Sequence, residues 1–576
     1  MNLTEYGNFK PQKCYNLWTK ENNNGIISNY NKIFSLNETA FDIWNLINGS
    51  RNINDIINEI TNIYDTNYTD VKKDCITTLK YFHENNLAII DYDPLFKLGK
   101  KNKKIDFSLY EQCAVRNTEE KEIDILLITP PSPKYEANVL EKNYSAFPLG
   151  IGYLLAALNK YTSVKYAYLN LRSQIITEKQ INDLLNKIKP SIIGISCMTE
   201  NYLNGIRLIK YIKETVNYPF LAIAGGPHIS LCYPDILNEK IIDYCFIGES
   251  ESSIVNFMTK YKNNQDVGTV KGIAYINKNN NNICFNKNEE NNNLDSLEFP
   301  IIDNRTKIGK YFVTISGSRG CPFSCKFCAA GKLSGCKYRF RSINNIIEEI
   351  NTHYKKGIKN FGFIDDTITV FPERVKELCK IIKERNMEIL WNAESRVDVA
   401  AKDKDMLKEM YSCGCRMLQF GIEAGTNSKL IEIKKNITIN QIEKALDNAF
   451  DVGLQISGTM VVGLPNENEE SIIKTFEFAE TLQKNYPINI VVGWFVPYPG
   501  TLYRDELLSN NNQNYNLFDF DIFTTLHPNF NYGSEEFYKY QNLYFNHMIK
   551  IMKNNTSILK DLELHTSFFD NKNEYN

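Results

Sequence analysis

The sequence predicts an α/β multidomain chain: a small winged-helix-like N-terminal module, a Rossmann-like parallel-sheet domain and a partial (β/α)6 barrel of the TIM type. Three observations predict it. Residues 1–95 hold short strand-like pieces followed by three helical patterns. Residues 121–262 alternate near-continuous apolar strands with amphipathic helices, the grammar of a parallel sheet covered on both faces. Residues 306–505 repeat strand then helix six times.

A chain of 576 residues is long enough for several separate cores. Its formal charge of -2, without a sustained Lys/Arg face, argues against nucleic acid or an anionic membrane as the main partner. No apolar run approaches the roughly 20 residues that span a bilayer. The opening "MNLTEYGNFKPQKC" lacks the basic head and apolar run of a signal peptide, so a cytoplasmic location is expected. Most of the 14 cysteines stand singly in apolar runs, as Cys197 and Cys245 do, and read as buried reduced thiols.

Within residues 1–95, "GIISNY" and "KIFSL" read as strands. Asn37 caps a helix from Glu38 to Ile47 that Gly49 ends, and Ile53, Ile56, Ile57 and Ile60 mark the apolar face of a second. A third helix runs through Val71 to Phe82, ahead of a last strand at "LAII". The module is too acidic to read DNA. The stretches "FSLNETAFDIW", "INDIINEI" and "ENNLAII", with the Gly49 turn, resemble the PqqD-type elements that bind leader peptides of ribosomally made, modified peptides. The resemblance implies a precursor peptide as partner, its leader added as a strand to the edge of the small sheet. A structural cap without a ligand is the alternative. Residues 96–120, with "KLGKKNKKIDFS", read as a charged linker.

In the second segment the strands "IDILLITPP", "SIIGISCM", "FLAIAGGPH" and "IIDYCFIGE" end on Pro130 and Pro131, on Ser196, on Gly225 and Gly226, and on Gly248 and Glu249. Ligands of such sheets lie beyond the carboxyl ends of the strands. Neither GxGxxG nor a Walker loop is present, which disfavours a dinucleotide or ATP. The glycine pair lets a flat or bulky ligand approach the backbone. "FPLGIGYLLAAL", "IIGISCMTEN", "AIAGGPH" and "DYCFIGESE" resemble the cobalamin-binding domain of cobalamin-dependent radical S-adenosylmethionine (SAM) enzymes. That resemblance implies cobalamin held around Pro131, Ser196, Gly225, Gly226, Gly248 and Glu249. One departure concerns the Asp-x-His-x-x-Gly motif that supplies a histidine to cobalt in many cobalamin proteins: after "YAYLN" comes "LRSQIIT", with neither Asp nor His. His228, beside the glycine turn, reads as a packed side chain. Residues 263–305 read as a hairpin and linker around an Asn run.

The first barrel strand leads into "SGSRGCPFSCKFCAAG", with Cys321, Cys325 and Cys328 at C-x3-C-x2-C. A structural zinc needs four protein ligands, and Cys336 is the nearby option for the fourth. A 4Fe-4S cube held by three cysteines keeps one iron open, as a catalytic centre does. With Phe327 before the last cysteine, the trio is similar to the radical SAM signature. The resemblance implies that SAM chelates the open iron through its amino and carboxylate groups and, on reduction, yields a 5'-deoxyadenosyl radical. An electron donor such as flavodoxin or ferredoxin is then a partner. On the same barrel face Asp365 and Asp366 are expected to help place the ammonium, Arg396 to meet the carboxylate, and Glu423 to accept from the ribose. The segment from Ser457 and Gly458 to Pro465 is expected to shelve the adenine. Cys413 and Cys415 read as core, and no cysteine follows Cys415 to build a further cluster. Residues 506–576 form an aromatic, helical tail expected to close the barrel or line the substrate entrance.

Taken together, the resemblances imply a cobalamin-dependent radical SAM enzyme that C-methylates a ribosomally synthesised peptide, with no single side chain assigned as catalytic. Ring closure or carbon-skeleton rearrangement is the alternative with the same cofactors, and a cobalamin sensor or scaffold is the non-catalytic one.

Overall fold

The computed structural model describes residues 9, 11–13, 17–21, 24–28, 33–47, 51–85, 87–90, 114–118, 122–131, 147–172, 178–288, 290–302, 312–509 and 543–555. They fall into two compact units, one holding the N-terminal module and an eight-stranded sheet, the other the barrel.

In the module, β1 (Gln12–Lys13) pairs with β5 (Ala88–Ile89), and β2 (Leu17–Glu21), β3 (Asn24–Ser28) and β4 (Ile33–Leu36) form an antiparallel sheet in that order. Helices α1 (Glu38–Leu46), α2 (Ile53–Tyr64) and α3 (Tyr68–Glu84) pack on one another, with α1 against β3 and β4 and α3 against β5. The Asn37 side chain caps α1, and a reciprocal Asn52–Asp55 capping box starts α2, satisfying backbone donors that a helix start leaves orphaned. Phe41, Trp44, Ile53, Ile56, Ile57, Ile60, Leu79 and Phe82 make one buried core. Strand β2, "LWTKE", lies outside the strands expected from sequence because two charged residues blur its alternation.

The second sheet runs from β6 (Ala114–Arg116) and β7 (Ile125–Thr129) through α4 (Leu149–Tyr161), β8 (Tyr166–Asn170), α5 (Glu178–Ile188), β9 (Ile192–Ser196), α6 (Tyr202–Thr215), β10 (Leu221–Gly225), α7 (Pro227–Asn238), β11 (Tyr244–Phe246) and α8 (Glu251–Lys262) to β12 (Ile273–Ile276) and β13 (Ile283–Asn286). Its order is β13-β12-β11-β10-β9-β7-β8-β6, with a parallel centre and antiparallel edges. β7 and β8 are buried along their whole length. The chain leaves β7 towards β8 and later returns to β9 on the other side, so a crevice opens between the carboxyl ends of β7 and β9. Two details depart from expectation: β6 lies inside the expected linker, and the β12–β13 hairpin is an edge of this sheet, because Ile273 and Ala274 are fully buried against it. The rest of the linker lies outside the described residues.

In the barrel unit, β14 (Phe312–Ile315) is followed by a two-strand clasp, β15 (Ser318–Arg319) with β16 (Arg339–Phe340), which encloses the short helix α9 (Ala330–Ser334). Then come α10 (Ile343–Tyr354), β17 (Asn360–Phe363), α11 (Pro372–Glu384), β18 (Leu390–Ser395), α12 (Val397–Lys402), α13 (Lys404–Ser412) and β19 (Cys415–Glu423). α14 (Asn427–Glu432), α15 (Ile439–Asp451), β20 (Gln455–Val462), α16 (Glu469–Asn485), β21 (Asn489–Trp494) and α17 (Leu502–Ser509) complete it. Six parallel strands lie in the order β14-β17-β18-β19-β20-β21. Residues 543–555 are helical and bind the last strand: the Asn555 side chain bonds both the N–H (3.0 Å) and the C=O (2.7 Å) of Ile490, and Tyr544 donates to the Val492 carbonyl at 2.8 Å. The remainder of the expected tail lies outside the described residues. Among the described residues no helix is long and apolar enough to cross a membrane.

Candidate active site

Strand β14 delivers the chain to Gly317, and Arg341 holds the turn that follows. The Arg341 N–H donates to Gly317 O at 3.0 Å, its Nη1 donates to Ser316 O at 3.0 Å, and the guanidinium pairs with Glu349; Arg341 is 4% exposed and Glu349 not at all. The cysteine loop thus starts from a fixed base. Cys321 and Cys325 are half-buried and Cys328 exposed. Burial pushes all three thiols up, Cys328 to about 11, and Cys328 also feels the charges of Cys325 and Cys321. The same electrostatic neighbourhood takes in Asp366, Arg396, Glu423 and Lys435. Cys336 turns to the Phe323 carbonyl at 3.9 Å. Among the described residues no three His, Cys, Asp or Glu side chains close on a single ion, whereas a cube is held by thiolates spread around it.

Several expected contacts change. Asp365 is buried, accepting from Gly317 N at 3.0 Å and from the Ser318 hydroxyl, and burial pushes it up to about 6; it braces the start of the cysteine loop instead of facing a ligand. Asp366, one residue on, is exposed on the face of the thiols. Arg396 is already engaged: Nε lies 2.7 Å from Asp398, Nη2 donates to Lys435 O at 3.2 Å, and the guanidinium stacks 3.8 Å from the centre of the Phe323 ring. It braces the cysteine loop too. Glu423 is buried at the end of β19 and paired with Lys435. Ser457 lies in the middle of β20, level with Gln419 and Asn489, and accepts from Asn489 at 3.3 Å. At Gly458 an added Cβ would meet Ile422 at 2.7 Å, so the position has no room for a side chain.

Sequence reasoning missed Lys435 and Glu394. The alternation in "LWNAES" was a usable signal for Glu394, since Trp391, Ala393 and Ser395 are buried while Asn392 and Glu394 are not. Glu394 accepts from Gln419 at 3.2 Å; enclosure first, and the charge of Asp366 second, push its carboxyl up to about 7. Lys435 sits in a loop with no periodicity to betray it. A cavity of about 1030 Å³ opens at the other end of the barrel, lined by Asn360, Leu390, Arg416 and Gln455 at the amino ends of the strands, where barrels keep their stability rather than their chemistry.

At the switch point of the other sheet, Asn201 and Asn204 donate to the carbonyls of Pro130 (3.3 Å) and Pro131 (3.0 Å) and fix the end of β7. Ser196 is half-buried at the end of β9, beside Met198, which is exposed. Gly225 ends β10 with only Phe246 near its missing side chain. Gly226 has φ +102°, and a Cβ there would meet Cys197 O at 2.6 Å; Gly248 has φ +72° with no atom within 4 Å of such a Cβ. Ser230 ties the two turns, donating to Gly226 O (3.0 Å) and accepting from Gly248 N (2.9 Å). The Glu249 carbonyl is held by Asn288 at 2.6 Å. An open backbone shelf at a switch point fits a broad, flat ligand such as a corrin. His228 is 1% exposed, stacked on Tyr202 and 3.1 Å from the Thr199 hydroxyl, a packed side chain as expected. Most of "LRSQIIT" lies outside the described residues.

Comparison with known proteins matches residues 315–479 to the radical SAM superfamily, 136–257 to the B12 binding domain and 24–88 to coenzyme PQQ synthesis protein D (PqqD). The chain carries the radical SAM and B12-binding domains of a B12-dependent radical SAM enzyme. As such an enzyme it uses a 4Fe-4S cluster, SAM and cobalamin, and it carries a PqqD-like module besides. It is 29% identical to an uncharacterized methyltransferase, PH0819, of Pyrococcus horikoshii over 68% of this chain and 84% of the relative. It is 24% identical to the anaerobic magnesium-protoporphyrin IX monomethyl ester cyclase of Rubrivivax gelatinosus, over 69% of this chain and 72% of that one. Its fold is that of the radical SAM methyltransferase TsrM from Kitasatospora setae, solved with tryptophan substrate and a SAM analogue bound: TM-score 0.54 and 14% identity over 66% of this chain and 74% of the other. The resident groups of this B12-binding radical SAM enzyme fit the residues present: three thiols on one loop for a cluster, and an open backbone shelf for a corrin.

Proposed function

We propose that this enzyme C-methylates a ribosomally made peptide. The observation that carries the reading is the PqqD-like module in one chain with the two cofactor domains. In the module, β4 has one strand neighbour among the described residues, and its Ile33 is 60% exposed. An extended leader added there gains main-chain bonds and a pocket for alternate side chains. When bound, the cluster with SAM supplies a hydrogen-abstracting radical and the corrin supplies a methyl group. The chain's own residues do the rest: Cys321, Cys325 and Cys328 hold the cluster, Asp366 and Glu423 face SAM, and Pro131, Ser196, Gly225, Gly226, Gly248 and Glu249 border the corrin. The methyltransferase name of the Pyrococcus relative supports methylation, and the cyclase name of the Rubrivivax relative supports ring closure as the second reading.

The test is anaerobic turnover with SAM, cobalamin and a candidate precursor peptide. Methylation gives one S-adenosylhomocysteine and one 5'-deoxyadenosine per peptide that has gained a methyl group. Deoxyadenosine with a peptide that has lost hydrogen instead replaces methylation with ring closure.

A further inference from the structure

From Phe312 to Ile347, the stretch that carries the cysteine loop, the chain has six cations, Arg319, Lys326, Lys332, Lys337, Arg339 and Arg341, and no carboxylate. In a chain whose formal charge is only -2, so long a stretch of one sign sets up a local positive field. Two of the six are spent within the fold, Arg341 on Glu349 and Lys326 on Glu506. Lys332 and Lys337 are exposed. Glu373, in the first turn of α11, is already paired with Lys376.

Beside these cations, large apolar side chains stand in solvent. Phe340 is 47% exposed, Phe371 48% and Leu333 41%. Tyr338, Phe340 and Phe371 form one cluster: both tyrosine and Phe340 lie 5.7 Å from Phe371 and 6.2 Å from each other, centre to centre. Arg374 lies over the Phe340 ring, 4.7 Å from its centre. Aromatic rings gathered on a surface with cations at the rim have the composition of an interface core. The patch is built onto the cysteine loop. A Cβ at Gly320 would overlap Lys337 O and Ser334, and one at Gly331 would meet Phe323 O at 2.6 Å. The Ser334 hydroxyl accepts from Cys321 N at 3.4 Å, and Arg374 donates to Gly317 O at 3.3 Å. Tyr338 donates to Thr367 O at 3.3 Å and lies within the electrostatic reach of Cys321.

We propose that this patch is the surface on which reduced flavodoxin, an acidic one-electron carrier, docks to reduce the cluster. One electron must reach the cube before SAM is cleaved, and electron transfer weakens steeply with distance, so the carrier has to settle beside the cysteine loop. Lys332 and Lys337 steer its acidic rim in, and Tyr338, Phe340 and Phe371 pack against the apolar edge of its flavin. The flavin hydroquinone loses one electron and the cube gains it, with no bond to this chain formed or broken. The surface serves methylation and ring closure alike, because reduction precedes any step on the peptide.

The test uses the full chain reconstituted with its cluster and two reductants: flavodoxin kept reduced by its reductase, and titanium(III) citrate, which needs no docking surface. Flavodoxin binding is read as Kd by biolayer interferometry, and cluster reduction as the electron paramagnetic resonance signal of the reduced cube. Wild type binds flavodoxin, and more weakly as salt rises. Phe340→Ser/Phe371→Ser and Lys332→Glu/Lys337→Glu, at equal cluster content, each weaken that Kd by about tenfold or more and slow reduction by flavodoxin to match. Both leave reduction by titanium(III) citrate unchanged. The two lysines are exposed, so their variant decides the question even where loss of the rings disturbs the fold. The proposal is overturned if wild type binds a ferredoxin and not flavodoxin, if it binds no carrier, if both variants keep the wild-type Kd, or if they slow both reductants equally.

Discussion

Arg341 and Glu349 are enclosed together, and the cost of separating them follows from that enclosure. Burial pushes the Glu349 carboxyl up, and the Arg341 guanidinium beside it opposes that shift. Removing one member strands the other's charge at about 3–5 kcal/mol, whereas replacing both with apolar groups is far milder. Arg341→Met is therefore expected to lower stability by that amount, and Arg341→Met/Glu349→Leu to recover most of it, by urea unfolding of the cluster-free chain. Equal losses in the two variants refute the account. His353 on α10 gives a pH dependence. Burial first, and the charge of Lys356 second, hold its ring down at about 4. The unfolded ring titrates near 6.5, so below that pH the unfolded chain takes up a proton that the folded chain refuses. Stability present above pH 6.5 is lost as the pH falls towards 4, by up to about 3 kcal/mol. His353→Leu should flatten that limb of the stability curve; an unchanged limb assigns the acid sensitivity to other groups.

At the scale of elements, edge strands need covering, and β21 has a side chain doing the work of a missing strand. Asn555 bonds both backbone groups of Ile490, the pattern a neighbouring strand would make. Asn555→Ala is expected to cost about 1–2 kcal/mol for two backbone groups left to water, read as a lower thermal midpoint; an unchanged midpoint means water replaces the amide without loss. The six barrel strands and the three helices of the module were legible because burial on one face imposes a period of two or of 3.6. β2 was not, since its charges are tolerated only once β3 pairs beside it. The cysteine cluster was legible because three thiols fall within eight residues. Arg396 was assigned to a ligand because its place at a strand end is visible in the chain, while the Phe323 ring and the Asp398 carboxylate that occupy it are visible only in three dimensions. Lys435 was missed for the converse reason, a loop residue whose pairing with Glu423 is visible only once the chain is folded.

The whole molecule divides its chemistry between two compact units, and this sets what each can lose alone. The sheet that borders the corrin has its own core, in which Ile125, Leu127, Tyr166, Ile192, Ile223 and Phe257 are buried. The turns at its strand ends are held within that sheet, by Asn201, Asn204 and Ser230. The cysteine loop is held by groups of the barrel, Arg341, Asp365 and Arg396. Cys325→Ala should therefore abolish the charge-transfer absorbance of the cluster and all deoxyadenosine formation, because two thiolates cannot retain a three-cysteine cube. The same variant should bind hydroxocobalamin with the stoichiometry and spectrum of the wild type. If corrin binding disappears together with the cluster, the two cofactors are not held independently.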